Sequence, residues 1–124
     1  MINGGNATVC VSHLDRSILF YTDVLRLKLQ SKTGKEWATL DAGNGMIIRL
    51  QAASLDSPPA GRGGSISVGF LVDEPLDRVV AKLKERGVQF RGPIQGDPGV
   101  PLRLAFFGDP DGNDLYVCEY AQKP

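Results

Sequence analysis

The fold is decided by a stretch near the end of the sequence, Asp109-Pro110-Asp111-Gly112-Asn113, which separates two apolar runs. The first run covers residues 103–107 and the second covers residues 114–120. Pro110 presets its backbone φ for a turn, Gly112 tolerates a positive φ, and the Asp side chains can accept hydrogen bonds from nearby amides. The stretch therefore predicts a turn that closes a hairpin between the last two strands.

The composition indicates one domain that binds neither nucleic acid nor a membrane. The 124 residues carry 14 Lys and Arg against 14 Asp and Glu, whereas a nucleic-acid partner needs a basic patch. No apolar run approaches the ~20 residues of a membrane span, and residues 1–5 lack the features of a secretory signal. We expect a cytoplasmic protein in which Cys10 and Cys118, without CxxC spacing, stay reduced and buried.

The first half of the chain predicts a strand, a helix and three further strands. Ser12-His13-Leu14-Asp15 has the spacing of a helix capping box, and apolar residues at helical intervals follow it. Gly43-Asn44-Gly45 predicts a tight hairpin turn. The predicted strands cover residues 6–11, 28–31, 36–42 and 46–52, and the predicted helix covers about residues 14–25.

The second half repeats this order after a segment rich in Pro and Gly. Asp73 is predicted to cap a helix that ends at Gly87, with an apolar stripe formed by Leu76, Val79, Val80 and Leu83. The predicted strands cover residues 65–72 and 88–90 and the two sides of the last hairpin, with a loop at 91–101.

A repeated order of this kind implies two similar modules, each of which buries one sheet face under its own helix. We predict a single α+β domain over residues 1–124, with module one at about 5–53, a linker at about 54–64 and module two at about 65–121. The two βαβββ modules are expected to form a curved mixed sheet with a concave ligand cleft and with the helices on the outer face.

This arrangement resembles the vicinal oxygen chelate superfamily of glyoxalases, bleomycin-resistance proteins and extradiol-type dioxygenases. The resemblance rests on residues 11–25, VSHLDRSILFYTDVL, and on the DPDGN stretch at 109–113. The family usually has Gly after the last Leu of the first stretch, where this chain has Arg26.

The resemblance implies four metal-ligand positions, at which the family's enzymes usually place His, Gln or Glu. In this chain they correspond to Asn6, Arg49, Ser67 and Tyr116. None offers an imidazole or a carboxylate, and a guanidinium has no usable lone pair and repels a cation. The lone His13 stands at the helix entry, where a surface or capping role is expected. We therefore expect no metal, no cofactor and no catalytic residue.

A mixed polar and aromatic pocket is expected at those positions instead. Strand period 2 adds Thr8, Trp37, Thr39 and Gly69 to the same face. The predicted ligand-binding residues are Asn6, Thr8, Trp37, Thr39, Arg49, Ser67, Gly69 and Tyr116. Trp37 and Tyr116 could stack on a planar ligand and Arg49 could hold an anionic oxygen. The alternatives are Trp37 as core filler, Arg49 paired with a carboxylate or loop carbonyl, Tyr116 in ordinary strand packing, and Gly69 in a bulge.

The sequence therefore predicts a metal-free protein that binds a small planar or anionic molecule, such as an antibiotic, in the manner of bleomycin-resistance proteins. One alternative is a metal-dependent enzyme of the glyoxalase or dioxygenase type with a rearranged site. Another is a regulatory or dimerisation module without a small ligand. A homodimer is expected because each module leaves an open sheet face and edge.

Overall fold

The computed structural model describes residues 1, 5–53, 60–61, 67–97 and 102–120. The chain divides into two compact units, the first comprising Met1–Arg62 with Asp109–Asn113 and the second comprising Gly63–Gly108 with Asp114–Pro124. The described residues of each unit form one sheet and one main helix, which confirms the α+β class. Of the linker predicted at 54–64, residues 54–59 and 62–64 lie outside the described residues. Within the described residues, no helix is both long and apolar enough to cross a membrane.

The first unit contains a four-stranded mixed sheet in the order β1-β4-β3-β2. Its strands are β1 at Asn6–Val11, β2 at Lys28–Thr33, β3 at Trp37–Asp41 and β4 at Ile47–Ala52. β1 runs parallel to β4, and the other pairs are antiparallel. The predicted turn between β3 and β4 is confirmed, because Asn44 and Gly45 both have positive φ, at 51° and 80°.

The first helix packs on one face of this sheet. α1 spans Leu14–Leu19 and continues as a π-helical turn over Phe20–Val24, so the predicted helix at 14–25 is confirmed with a wider last turn. The covered sheet face is fully buried at Ala38, Leu40, Ile48 and Leu50. Burying each of the larger aliphatic side chains contributes about 1.5–3 kcal/mol, so this layer is the core of the first unit.

The capping box predicted at residues 12–15 does not form. His13 is the N-cap residue, and no side chain caps the helix. The Ser12 hydroxyl instead donates a hydrogen bond to the Asp111 carboxylate, which also accepts a hydrogen bond from the Ser12 N–H at 3.1 Å. In a capping box the Ser12 oxygen would accept a hydrogen bond from a helix N–H, and the Asp15 carboxylate would accept one from the Ser12 N–H. Here the Ser12 oxygen accepts a hydrogen bond from Arg16 Nη2 at 2.9 Å, and Asp111 takes the place of Asp15 as the acceptor for the Ser12 N–H.

The second unit contains a three-stranded sheet in the order β5-β7-β6 among its described residues. Its elements are β5 at Val68–Leu71, α2 at Leu76–Glu85, β6 at Leu102–Gly108 and β7 at Asp114–Tyr120. β5 and β7 are parallel, and β6 and β7 form the predicted antiparallel hairpin. In α2, Leu76, Val80 and Leu83 are buried as predicted. Residues 65–66, at the start of the predicted strand, lie outside the described residues.

Two local predictions in the second unit are wrong. Residues 88–90 form no strand, because only Phe90 bridges to Phe107; the segment lies between Gly87 and Gly92, whose positive φ values end regular pairing on both sides. Asp73 does not cap α2, since Pro75 is the N-cap residue and no side chain of its own caps the helix.

A side chain of strand β7 accepts a hydrogen bond from a backbone N–H at the N-terminal end of α2. The Glu119 Oε2 atom accepts a hydrogen bond from the Leu76 N–H at 2.8 Å. A carboxylate at this end also interacts favourably with the helix dipole. On the same strand pair, Arg103 forms ion pairs with Asp77 at 3.2 Å and with Glu119 at 3.5 Å, so the helix is tied to its own sheet by charged groups.

Candidate functional site

The face of the first sheet that does not pack on α1 carries most of the predicted site residues. We call it the polar face, and it consists of Asn6, Thr8, Trp37, Thr39, Arg49 and Gln51. These side chains alternate along the strands with the buried residues of the opposite face, as strand period 2 requires. The five predicted residues of the first module therefore do share one face.

Strand register sets the neighbours of Arg49 on this face. Thr8 on β1 and Thr39 on β3 are its cross-strand partners. Arg49 is half-buried, whereas Ile48 and Leu50 on either side are fully buried. The predicted register of β4 is therefore confirmed, and Arg49 points away from the core.

Two side chains of the polar face hold the Arg49 guanidinium. Its Cζ atom lies 5.0 Å from the centroid of the Trp37 ring, a cation–π contact that contributes roughly 0.5–1 kcal/mol at an accessible site. Its Nη1 atom donates a hydrogen bond to Gln51 Oε1 at 2.7 Å. Trp37 and Gln51 are themselves cross-strand partners. The cation is thus oriented by an aromatic ring and an amide, and Trp37 is not a core-filling residue.

Beside this cluster, the hydroxyl groups of Thr39 and Ser31 lie 2.6 Å apart in a hydrogen bond between cross-strand partners. Asn6 and Thr8 are exposed. The polar face therefore offers hydroxyl and amide groups around one fixed cation, a combination suited to binding a polar small molecule.

In the second unit, Gly69 and Tyr116 are cross-strand partners, and Ser67 is exposed just before β5. A Cβ atom added at Gly69 would lie 2.2 Å from Cζ of Tyr116. Gly69 therefore admits the Tyr116 ring, which occupies the space beside it and also packs at 5.4 Å against the Phe106 ring. Of the predicted residues in the second module, Tyr116 therefore packs against Gly69, and Ser67 precedes β5.

The DPDGN turn serves structure rather than chemistry. The buried Asp109 carboxylate accepts hydrogen bonds from the Asp111 and Asn113 N–H groups at 2.9 and 2.8 Å, as predicted for an Asp at a turn. It also accepts hydrogen bonds from the Tyr21 hydroxyl at 2.9 Å and from Asn113 Nδ2 at 2.8 Å. Asn113 Nδ2 further donates to the Cys10 carbonyl at 2.9 Å. The turn is thus anchored to α1 and β1 within the first unit.

Tyr21 lies within the helix predicted at about residues 14–25, and no local pattern gives it a further role. Burial, reinforced by the adjacent Asp109 carboxylate, raises the pKa of Tyr21 far above its usual range. The phenol therefore stays protonated and acts as a permanent hydrogen-bond donor. No local sequence signal pairs residues that lie 88 positions apart, so this contact could not be predicted.

A family model agrees with this architecture along nearly the whole chain. The glyoxalase/bleomycin resistance protein/dioxygenase superfamily model matches residues 5–117. The chain belongs to this superfamily. A search of curated proteins gives no significant match.

Three solved structures resemble the chain over almost its full length. TnmS3, an antibiotic binding protein from Streptomyces sp. CB03234, has 26% identity and a TM-score of 0.77, with 98% of each chain covered. A glyoxalase/bleomycin resistance protein from the same organism has 27% identity and a TM-score of 0.70, covering 93% of this chain and 98% of its own. Lactoylglutathione lyase from Agrobacterium tumefaciens, at 19% identity with a TM-score of 0.74 and coverage of 96% and 94%, shares the fold.

The residues at the superfamily's metal positions do not fit a metal ion. Asn6, Ser67 and Tyr116 supply only neutral ligand atoms. Arg49 places a fixed positive charge at the remaining one of the four predicted positions. Elsewhere in the described part of the chain, no three His, Cys, Asp or Glu residues are grouped as metal ligands. The donor chemistry of these four residues therefore does not suit a divalent metal ion.

The two cysteines are free thiols, as predicted, but Cys10 is only half-buried, so its predicted burial is wrong. Cys118 is buried, and burial raises the pKa of its thiol. Its Sγ atom contacts the Phe70 carbonyl at 3.6 Å. Because the thiolate is the reactive form, Cys118 is suited to packing rather than to nucleophilic chemistry.

Proposed function

We propose that this member of the superfamily is a metal-free protein that binds a small planar or anionic molecule. The observation that carries the proposal is the Arg49 guanidinium, which lies over the Trp37 ring and donates a hydrogen bond to Gln51, at a position where the resemblance predicts a metal ligand. A cation held in this way disfavours a metal ion and favours a ligand with an electron-rich or anionic group.

The similarity to TnmS3, an antibiotic binding protein, supports an antibiotic or a related compound as the ligand. We further propose that ligand contacts come from the polar-face residues Asn6, Thr8, Trp37, Thr39 and Arg49. In the second unit, Ser67 and Tyr116 stay predicted ligand contacts, and Gly69 provides the space for the tyrosine ring.

Thermal stability in the presence of a compound panel tests the proposal. A ligand that binds only the folded chain stabilises it, and the melting temperature rises as the ligand concentration exceeds Kd. At 100 Kd the free energy of unfolding is higher by about 2.7 kcal/mol. Trp37 is the single tryptophan, so intrinsic fluorescence reports directly on the polar face. A true ligand should shift both signals in the wild type and in Tyr120→Phe, the latter changing an exposed residue, but should bind Trp37→Phe more weakly.

A panel of planar, anionic and antibiotic compounds that leaves both melting temperature and fluorescence unchanged would contradict the proposal. Elemental analysis of protein purified without chelator tests the metal-free part separately. Stoichiometric iron, manganese, nickel or zinc that disappears in Asn6→Ala or Tyr116→Phe would favour the metal-dependent enzyme instead.

We also propose that the chain forms a homodimer and acts in the cytoplasm. Leu71 and Leu102 on the second sheet are 60% and 39% exposed, which leaves apolar area for a partner copy, and the two free thiols suit a reducing compartment. Light scattering should give twice the 13.4 kDa chain mass. A single-chain mass at all protein concentrations would contradict the dimer.

A further inference from the structure

We propose that the ligand of the polar face is an aromatic carboxylate, whose carboxylate is bound edge-on by Arg49. This inference rests on the proposed function and names the chemical class that the site selects. It follows from the partners of Arg49, from the charges near it and from its position over Trp37.

Among the described residues, most N–H donors of the Arg49 guanidinium have no acceptor. A guanidinium carries five N–H groups in one plane, and Nη1 donates one of them to Gln51 Oε1. No described residue accepts a hydrogen bond from Nε or Nη2, and the edge that these two atoms form presents two parallel N–H groups with the spacing of the two oxygens of a carboxylate. Because Trp37 and Gln51 already orient the plane, the ligand need not immobilise a flexible side chain on binding.

The charge of Arg49 lacks a counter-ion within the part of the chain that the structure describes. Arg16, Arg91 and Arg103 each pair with an aspartate, but no carboxylate of a described residue lies within ion-pair distance of Arg49. Its cross-strand neighbours Thr8 and Thr39 are neutral.

The acidic residue of the adjacent cross-strand row, Asp41, is already engaged. Its Oδ1 atom accepts a hydrogen bond from the Gly43 N–H at 2.7 Å, and its cross-strand partner is Lys28. A half-buried cation without a counter-ion among the described residues favours an external anion, because charge-assisted hydrogen bonds to the anion replace the hydrogen bonds to water that burial removes.

The position of the cation also selects an aromatic body for the ligand. The Arg49 Cζ atom lies over the Trp37 ring, so a carboxylate on the guanidinium edge brings its attached group beside the indole. The ring is half-buried and therefore has an accessible part. A flat aromatic group gains stacking on this part, whereas an aliphatic group of equal size gains area burial alone.

Isothermal titration with three matched probes tests the inference. The probes are 2-naphthoate, its neutral methyl ester, and the saturated decalin-2-carboxylate. We expect the naphthoate to bind most tightly, the ester at least about 10-fold more weakly because it loses a charge-assisted hydrogen bond, and the decalin acid about 2- to 10-fold more weakly because it loses stacking.

Variants of Arg49 identify the residue that reads the charge. Arg49→Gln should weaken naphthoate about 10- to 100-fold and abolish the preference for acid over ester. Arg49→Lys keeps the charge but not the two parallel donors, so its loss should be intermediate. Arg78→Gln, an exposed residue of α2, makes the same change in net charge and should leave binding unchanged. Urea unfolding of each variant establishes that it is folded.

Three results would overturn the inference: equal affinity for acid and ester, full affinity in folded Arg49→Gln, or no binding of naphthoate at about 1 mM, where even weak specific ligands are detected. The first two leave the proposed function standing, because a small molecule still binds. The proposed function is tested separately by the compound panel. It fails if no compound changes the melting temperature or the Trp37 fluorescence.

Discussion

Replacing Tyr21 with Phe should measure how strongly the DPDGN turn stabilises the first unit. The substitution removes the hydroxyl that donates to the buried Asp109 carboxylate at 2.9 Å and leaves the aromatic ring in place. Loss of a hydrogen bond to a charged acceptor costs about 1.5–3 kcal/mol. Asp109 retains its donors from Asp111 and Asn113, so we expect the free energy of unfolding to fall by about 1.5–2 kcal/mol.

Equilibrium unfolding in urea checks this value. With a urea dependence of about 1–3 kcal/mol per molar, the midpoint should move down by about 1 M with an unchanged slope. Tyr120→Phe is the matched control, because Tyr120 is 42% exposed and should stay within about 0.3 kcal/mol of wild type. A Tyr21→Phe midpoint equal to that of the control would refute the argument that this contact anchors the turn.

The same residue gives a pH dependence of defined sign. The pKa of Tyr21 is raised by burial and by Asp109, so the folded state holds its proton more tightly than the unfolded chain does. Its contribution is fully present below the unfolded pKa of about 10 and is lost as pH rises toward the folded pKa. Above pH ~10, the stability advantage of wild type over Tyr21→Phe should therefore shrink by about 1.4 kcal/mol per pH unit. A constant difference from pH 9 to 11 would contradict the raised pKa.

Three further substitutions test other parts of the fold by urea unfolding. Arg26 has a φ of 65°, so Arg26→Gly should stabilise by about 0.5–1 kcal/mol; a loss would show that the side chain has an unrecognised contact. Glu119→Ala removes the acceptor for the Leu76 N–H and should lower the free energy of unfolding by about 1–2 kcal/mol. Glu119→Gln keeps an oxygen acceptor and should lower it less. Equal losses in the two variants would instead assign the effect to the charge of Glu119. Gly69→Ala should cost about 1–3 kcal/mol by displacing the Tyr116 ring, and an equal cost in a Tyr116→Ala background would contradict this clash.

The features predicted from sequence are those set by short-range rules. Strand period 2 placed Thr8, Trp37, Thr39 and Arg49 on one face, and the register of β4 followed from the alternation of Ile48, Arg49 and Leu50. The turn before β4 followed from its glycines, and the DPDGN hairpin followed from its own residues. Strand alternation and turn residues both depend only on neighbours in the chain, so a single sequence is enough to predict the structures that they specify.

The wrong predictions concern helix caps and a short strand, where distant groups compete with local ones. Ser12 bonds Asp111, which is 99 positions away, and α2 is capped by Glu119 rather than by Asp73. The contact of Arg49 with Trp37 joins two strands, and its orientation depends on rotamers that no sequence pattern specifies. The face was therefore predictable, while the arrangement of groups on it was not.

The turn at 109–113 also has a consequence for the order of events during synthesis. Its contacts with Tyr21, Ser12 and Cys10 span 88, 99 and 103 positions. A nascent chain that ends before Asp109 has already made all four strands and the helix of the first unit, yet it lacks the carboxylates that satisfy the Tyr21 hydroxyl and the Ser12 N–H. Because these contacts cannot form before residues 109–113 are synthesised, and closing such long loops is slow, we expect the first unit to stay incompletely bonded until those residues have left the ribosome.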